Sequence, residues 1–149
     1  MNILQILPEL NVGGVETGTI DFAHYLVSHK HNSFVVSNGG ALVETLEKQG
    51  SHHFSLPVHK KSFFNAYKMV GELRSIILEH NVDIVHARSR VPAWIGFFAC
   101  QKTSAHFITT CHGFYKSLFF SQVMGWSKRV IVPSNMIGKH MIDKFNVSH

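Results

Sequence analysis

Six short apolar runs alternate with helical patterns along this chain, and that alternation constrains the fold more than any other feature. Ile3-Leu4-Gln5-Ile6-Leu7, closed by Pro8, reads as a buried strand, as do Phe34-Val35-Val36-Ser37 and Asp83-Ile84-Val85-His86-Ala87. His106-Phe107-Ile108-Thr109-Thr110 and Arg129-Val130-Ile131-Val132 read the same way, and His53-Phe54-Ser55-Leu56 more weakly. Between them, Val15, Phe22 and Leu26 mark one helix, and Leu42 to Lys48 a shorter one stopped by Gly50. Steps of three and four from Phe63 through Ala66, Tyr67, Val70, Leu73 and Ile77 predict a helix over Ser62 to His80. Pro92 is expected at the first position of an apolar, buried helix running to Cys100, and Ser134 is expected to cap a last helix with Ile137, Met141 and Phe145 inward. Strand and helix in strict turn imply βαβ units joined by right-handed crossovers. The expected fold is therefore a doubly wound, Rossmann-like α/β domain with a mainly parallel sheet of about six strands.

Composition narrows the reading. At 149 residues the chain is one domain's worth, against ~100–200 residues per domain. With 45% hydrophobic and 15% charged residues it buries enough apolar surface to fold. No apolar stretch reaches the ~18 residues of a spanning helix, and Met1-Asn2-Ile3-Leu4 lacks the charged start of a secretory leader, so a cytosolic location is expected. Cys100 and Cys111 are too few and too widely spaced for a disulfide framework or a zinc site, and are expected to be reduced and buried. The net charge of +5 suits phosphate-bearing ligands, nucleic acid or an anionic membrane surface about equally.

In a doubly wound sheet, ligands sit beyond the carboxyl ends of the strands, so the loops after the first, fourth and fifth runs hold the candidates. After the first, Gly13 and Gly14 open a helix whose N–H groups can face an anion, with Glu16 in its first turn. The spacing fits neither the three-glycine dinucleotide pattern nor a P-loop, and a plain tight turn is the competing reading. After the fourth, Arg88, Ser89 and Arg90 offer two cations and a hydroxyl for an acidic or sugar-like group, unless they form only a solvated loop. After the fifth, His112 sits beside Gly113, with Phe114 and Tyr115 following. Lys60-Lys61-Ser62-Phe63-Phe64 and Phe114 to Phe120 combine aromatic and basic residues that either belong to the core or meet a lipid-linked substrate or membrane surface. The His29/His31 and His52/His53 pairs lack acidic or cysteine partners, so no metal is expected, and the cations form no continuous stripe, so neither is nucleic acid.

Five segments in this order carry a family resemblance: Pro8-Glu9-Leu10 and Gly13-Gly14-Val15-Glu16 after the first strand, then Asp83-Ile84-Val85-His86-Ala87, Thr110-Cys111-His112-Gly113-Phe114, and Val130-Ile131-Val132-Pro133-Ser134. Together they resemble the amino-terminal domain of a family 4 glycosyltransferase with the GT-B fold, over essentially residues 1–149. The resemblance implies a retaining, metal-independent hexosyltransferase that takes a sugar from a nucleotide-sugar donor and builds cell-envelope saccharides. It implies donor binding at Gly13, Gly14 and Glu16, and a catalytic role for His112 beside the reacting sugar. Acceptor binding, to a saccharide or lipid-linked molecule, is expected at Arg88, Ser89, Arg90, Phe114 and Tyr115. It also implies a carboxyl-terminal donor domain that this chain lacks, so the chain alone is expected to be inactive, working at the inner face of the membrane by peripheral contact when complete. A stand-alone Rossmann-like binding or regulatory module is the alternative.

Overall fold

In a computed structural model, residues 1–60, 63–115 and 118–148 are described. The strands are β1 (Asn2–Ile6), β2 (Asn32–Ser37), β3 (His52–Ser55), β4 (Ile84–Ala87), β5 (His106–Thr110) and β6 (Val130–Ile131). The helices are α1 (Gly14–Ser28), α2 (Val43–Lys48), α3 (Phe63–Glu79), α4 (Arg90–Cys100), α5 (Leu118–Ser121) and α6 (Asn135–Phe145). All strand pairs are parallel, in the order β3-β2-β1-β4-β5-β6. The order reverses between β1 and β4, which opens a crevice at their carboxyl ends. The doubly wound fold expected from the alternation is the one observed.

One local expectation differs, and two stretches that the sequence left open are filled in. Helix α4 begins two residues earlier than Pro92 suggests: Ser89 is its N-cap in extended backbone, so Pro92 is its third residue. Proline is tolerated there because the first N–H groups of a helix have no intrahelical acceptor. The stretch after β5 holds α5 and a single 3-10 turn, Gln122–Gly125, both too short to leave a helical period in the sequence. The aromatic and basic stretches are not plain core, since Phe64, Phe114, Phe119 and Phe120 are exposed. Lys61, Ser62, Lys116 and Ser117, which belong to those stretches and to the expected helix start, lie outside the described residues. The cap at Ser134 forms as expected, its hydroxyl accepting from Ile137 N–H. Both cysteines are free and buried; burial pushes Cys100 up to about 12 and Cys111 up to about 11, leaving unreactive thiols. No helix among the described residues is long and apolar enough to cross a membrane.

The two faces of the sheet differ in polarity. One packs Leu4, Ile6, Val85 and Ala87 against α3, α4, the 3-10 turn and α6 in a large apolar core. The α1 face has a smaller core around Leu7, Ile20, Ala23, Val35 and Leu46, and beside it a polar layer. Gln5 donates to the Thr19 carbonyl at 3.1 Å, and Arg88 donates from Nη1 to Gln5 Oε1 at 2.9 Å and to the Gly18 carbonyl at 3.0 Å. His86 pairs through Nε2 with Thr110 Oγ1 at 2.6 Å, while its Nδ1 and the Nε of Arg88 have no partner. Each such orphan costs about 1–3 kcal/mol, which makes this layer the least expected feature of the core. A Cβ at Gly18 would lie 3.2 Å from Arg88 Nη2, so glycine inside α1 makes room for the guanidinium.

Two outcomes follow from this layer. Burial, then Arg88 and His112, lowers His86 to about 3, whereas in the unfolded chain it titrates near 6.5. Stability from burying the neutral ring is complete above pH 6.5 and is lost as pH falls toward 3, at up to ~1.4 kcal/mol per pH unit. His53, lowered mainly by burial against the pull of Glu47, acts in the same direction. Urea midpoints at about pH 7 and about pH 5 should fall clearly for the parent and less for His86→Gln, and equal falls would assign the acid sensitivity to other groups. Alanine is about 1 kcal/mol better than glycine inside a helix, so Gly18→Ala should stabilise α1 only where the guanidinium is gone. In an Arg88→Met background the substitution should raise the urea midpoint, and in the parent it should raise it less or lower it; additive effects would separate Gly18 from Arg88.

Candidate functional site

The loop leaving β1 is tied down on both sides. Leu10 N–H donates to the Gly39 carbonyl at 2.8 Å and its carbonyl accepts from Leu42 N–H at 2.9 Å. The chain then turns into α1 through Gly13, the N-cap, whose extended backbone any residue adopts and which has no side chain to satisfy the first N–H groups. Space explains the glycine here: a Cβ would meet the Glu16 carboxylate, which folds back over the turn. At Gly14 nothing lies within 4 Å of a Cβ, so the first turn of α1 faces open crevice. Free N–H groups and the positive end of the helix dipole attract an anion to that opening, against the Glu16 carboxylate at the same turn.

Arg88 follows β4 and extends its pairing, its N–H donating to the Ile6 carbonyl at 3.0 Å. Sequence spacing places Arg88 and Arg90 together on the acceptor side, and the structure separates them. The Arg88 guanidinium turns beneath α1 to Gln5 and Gly18, near Glu16, and burial lowers its pKa against the pull of that carboxylate. Arg90 turns the other way, lying 5.3 Å from the Tyr115 ring centre with Nη1 3.4 Å from Ser121 Oγ. Ser89 lies between them as the α4 N-cap, without a side-chain cap bond.

The loop after β5 supplies the rest. His112 reaches the Arg88 and Glu16 side: partial burial, then the Arg88 guanidinium, lowers its pKa, and Glu16 opposes them. The ring is accordingly neutral at pH 7. Tyr115 is half-buried, and burial, then the neighbouring Cys111 thiol, raises its pKa. Its N–H donates to His140 Nε2 at 3.4 Å, and Phe114 meets the His140 ring edge-on at 4.9 Å. Phe114 therefore lines a shallow depression of about 480 Å³ with Asn135, Met136, Lys139 and Asp143 of α6, away from Arg88.

Gly13, Gly14, Glu16, Arg88 and His112 thus form one side of the crevice, and Arg90, Phe114 and Tyr115 the other. Sequence reasoning passed over Gln5, Gly18, His86 and Thr110. A signal was present: Gln5 and His86 are polar residues in strands read as buried, and they pair in register across β1 and β4. The histidine pairs have other partners, His53 Nε2 at 2.8 Å from Ser37 Oγ and His29 Nδ1 at 2.8 Å from the Tyr25 carbonyl. Among the described residues, no three His, Cys, Asp or Glu side chains converge as metal ligands would.

Against known proteins, a model of Glycosyltransferase Family 4 matches residues 12–149. A glycosyltransferase from Rickettsia africae ESF-5 is 36% identical, with a TM-score of 0.86 over 99% of this chain and 40% of that one. The lipopolysaccharide outer core galactosyltransferase WaaB is 18% identical, with a TM-score of 0.68 over 97% of this chain and 42% of its own. MurG of Acinetobacter baumannii is 13% identical, with a TM-score of 0.65 over 89% and 41%. At these identities the last two share the fold alone. No curated protein is similar to the chain. The chain spans about two fifths of the length of each of these structures. With the six-stranded parallel sheet and its crevice, these likenesses settle the lineage: the chain belongs to Glycosyltransferase Family 4, as an amino-terminal domain of the GT-B fold.

Proposed function

We propose that this domain is the acceptor-side half of a retaining transferase that moves a hexosyl group from a nucleotide-sugar donor to a cell-envelope saccharide or lipid-linked acceptor. The observation that carries this reading is the convergence of a neutral His112, Arg88 and Glu16 on the open amino end of α1. A donor diphosphate fits that end, where helix N–H groups and the nearby guanidinium supply positive potential without a metal ion. The neutral His112 ring donates to a hydroxyl of the donor sugar, and its backbone carbonyl faces the positive charge that develops at the anomeric carbon. Arg90 and Tyr115, across Ser89, hold the acceptor. The galactosyltransferase among the structural matches acts on lipopolysaccharide outer core, which supports an envelope acceptor. The rest of the donor site belongs to a carboxyl-terminal domain, so the 149-residue chain alone has no significant turnover. The reaction takes place at the cytoplasmic face of the membrane.

In the enzyme completed by its donor domain, His112→Ala should lower kcat about 100-fold or more with an unchanged melting temperature. Because the working ring is neutral and its pKa is lowered, kcat of the parent should hold as pH drops through 6.5 and decline only at more acidic pH. Gly14→Val should raise the donor KM several-fold in a folded protein, since it fills the open approach to α1. Full activity of the His112 variant, or robust turnover by the 149-residue chain alone, would sink the assignment.

A further inference from the structure

Four exposed aromatic residues, Phe98, Phe119, Phe120 and Trp126, are linked through Trp94. Phe119 and Phe120 of α5 are 73% and 65% exposed, with rings edge-to-face at 5.4 Å. The Trp94 indole of α4 donates to the Phe120 carbonyl at 3.0 Å, meets Trp126 edge-on at 4.8 Å and stacks with Phe98 at 6.1 Å. Phe98 and Trp126 are themselves 44% and 43% exposed. One continuous aromatic face therefore runs over α4, α5 and the end of the 3-10 turn. Contiguous exposed apolar patches of this kind mark interaction sites.

The charge distribution names the partner. From Ile84 to Ile142 the chain carries seven Lys and Arg and no Asp or Glu, whereas residues 1–83 carry eight acids and six bases. Both ion pairs among the described residues, Lys48–Glu44 and Lys68–Glu72, lie in the earlier segment. Exposed Lys128 and Arg129 follow Trp126 after Ser127, and exposed Arg90 opens α4. Tryptophan and phenylalanine flanked by unpaired cations match the boundary of an anionic bilayer, where indole sits at headgroup depth and cations meet lipid phosphates. Two copies pairing through this face would bring like charges together. The cations form no continuous stripe along which the backbone of a single-stranded nucleic acid would run.

We propose that the α4–α5 face, with Trp94, Phe98, Phe119, Phe120 and Trp126, is the surface on which this protein docks to an anionic membrane. This deepens the proposed function and rests on it for its biological purpose. Ser121, next to Phe120, contacts Arg90, so the docked face adjoins the acceptor side of the crevice. A lipid-linked acceptor then reaches Arg90 and Tyr115 without leaving the bilayer surface.

The test is flotation of the complete enzyme with vesicles of phosphatidylcholine alone or with about one third phosphatidylglycerol. The parent should float with the anionic vesicles, less so at raised salt, and poorly with phosphatidylcholine alone. Phe119→Ser/Phe120→Ser should lower the partition coefficient about tenfold or more, and Lys128→Glu/Arg129→Glu should abolish the preference for anionic lipid. Phe64→Ser/Tyr67→Ser, which alters the exposed aromatics of α3, should leave partitioning unchanged. A parent that stays unbound, a Phe119/Phe120 variant that partitions like the parent, or loss seen only with the Phe64/Tyr67 variant overturns the proposal. So does binding of a single-stranded oligonucleotide, or self-association, in place of vesicle binding. Turnover measured in the same samples separates the two claims: vesicle binding without transfer removes the catalytic reading and leaves the docking face standing.

Discussion

A guanidinium drawn out of bulk water beneath the first turns of α1 is the constraint on which the crevice depends. Desolvating a cation is costly, and Arg88 offsets that cost with bonds to Gln5 Oε1 and the Gly18 carbonyl and with the nearby Glu16 carboxylate. A lysine ammonium presents no rigid fork and would not hold both acceptors in the same way. Because Gln5 lies on β1, Gly18 on α1 and Arg88 just after β4, the one side chain sets where the amino end of α1 stands over the sheet. Its charge also reaches His112, which it helps to keep neutral. Position of the anion-facing turn and protonation state of the histidine therefore share a cause.

The sheet and its helices were legible in the sequence because parallel strands buried on both faces leave apolar runs that break where helical periodicity begins. The parting of Arg88 and Arg90 was not, although only Ser89 separates them. In a strand that spacing puts side chains on one side, but Ser89 ends the strand and caps α4, so Arg90 already obeys the rotation of a helix. The local meaning of an i, i+2 pair changes at a cap, and no composition signal marks the place. Pro92 misled for a related reason, since it is accommodated anywhere in the first turn. Helix α5 and the 3-10 turn escaped because each is about one turn long, and what holds them is tertiary: Thr109 Oγ1 donates to the Met124 carbonyl at 2.7 Å and Trp94 Nε1 to the Phe120 carbonyl.

Conversely, the polar layer was written in the strands and passed over. Gln5, His86 and Thr110 stand where a parallel sheet ordinarily has aliphatic residues, and all lie on the α1 side. The two-residue alternation that sends His86 to that side also aims the chain so that Arg88 follows it there, and Thr110 stands in the same relation to His112. A polar residue inside a buried strand, two positions before the strand's carboxyl end or nearer, thus points toward the side on which the site will form. Arg88 and His112 were selected from the sequence because they sit in loops just after strands; Gln5, His86 and Thr110 beneath them were hidden by being part of the core.

Sparing this layer from apolar packing leaves His86 Nδ1 and Arg88 Nε without partners, a local weakness that a purely structural domain would have no reason to keep. Both atoms lie on the α1 face, while the opposite face is filled mainly with aliphatic and aromatic side chains from β1 to α6. That asymmetry lets the two faces serve different ends. The apolar side makes the sheet rigid, and Gly96 brings α4 so close that a Cβ there would stand 3.2 Å from the Phe107 ring. The polar side accepts unsatisfied groups in return for a cation, a neutral imidazole and a free helix end gathered within one crevice. On the proposed reading, the first is what holds the acceptor half of a transferase in shape, and the second is what gives it something to do.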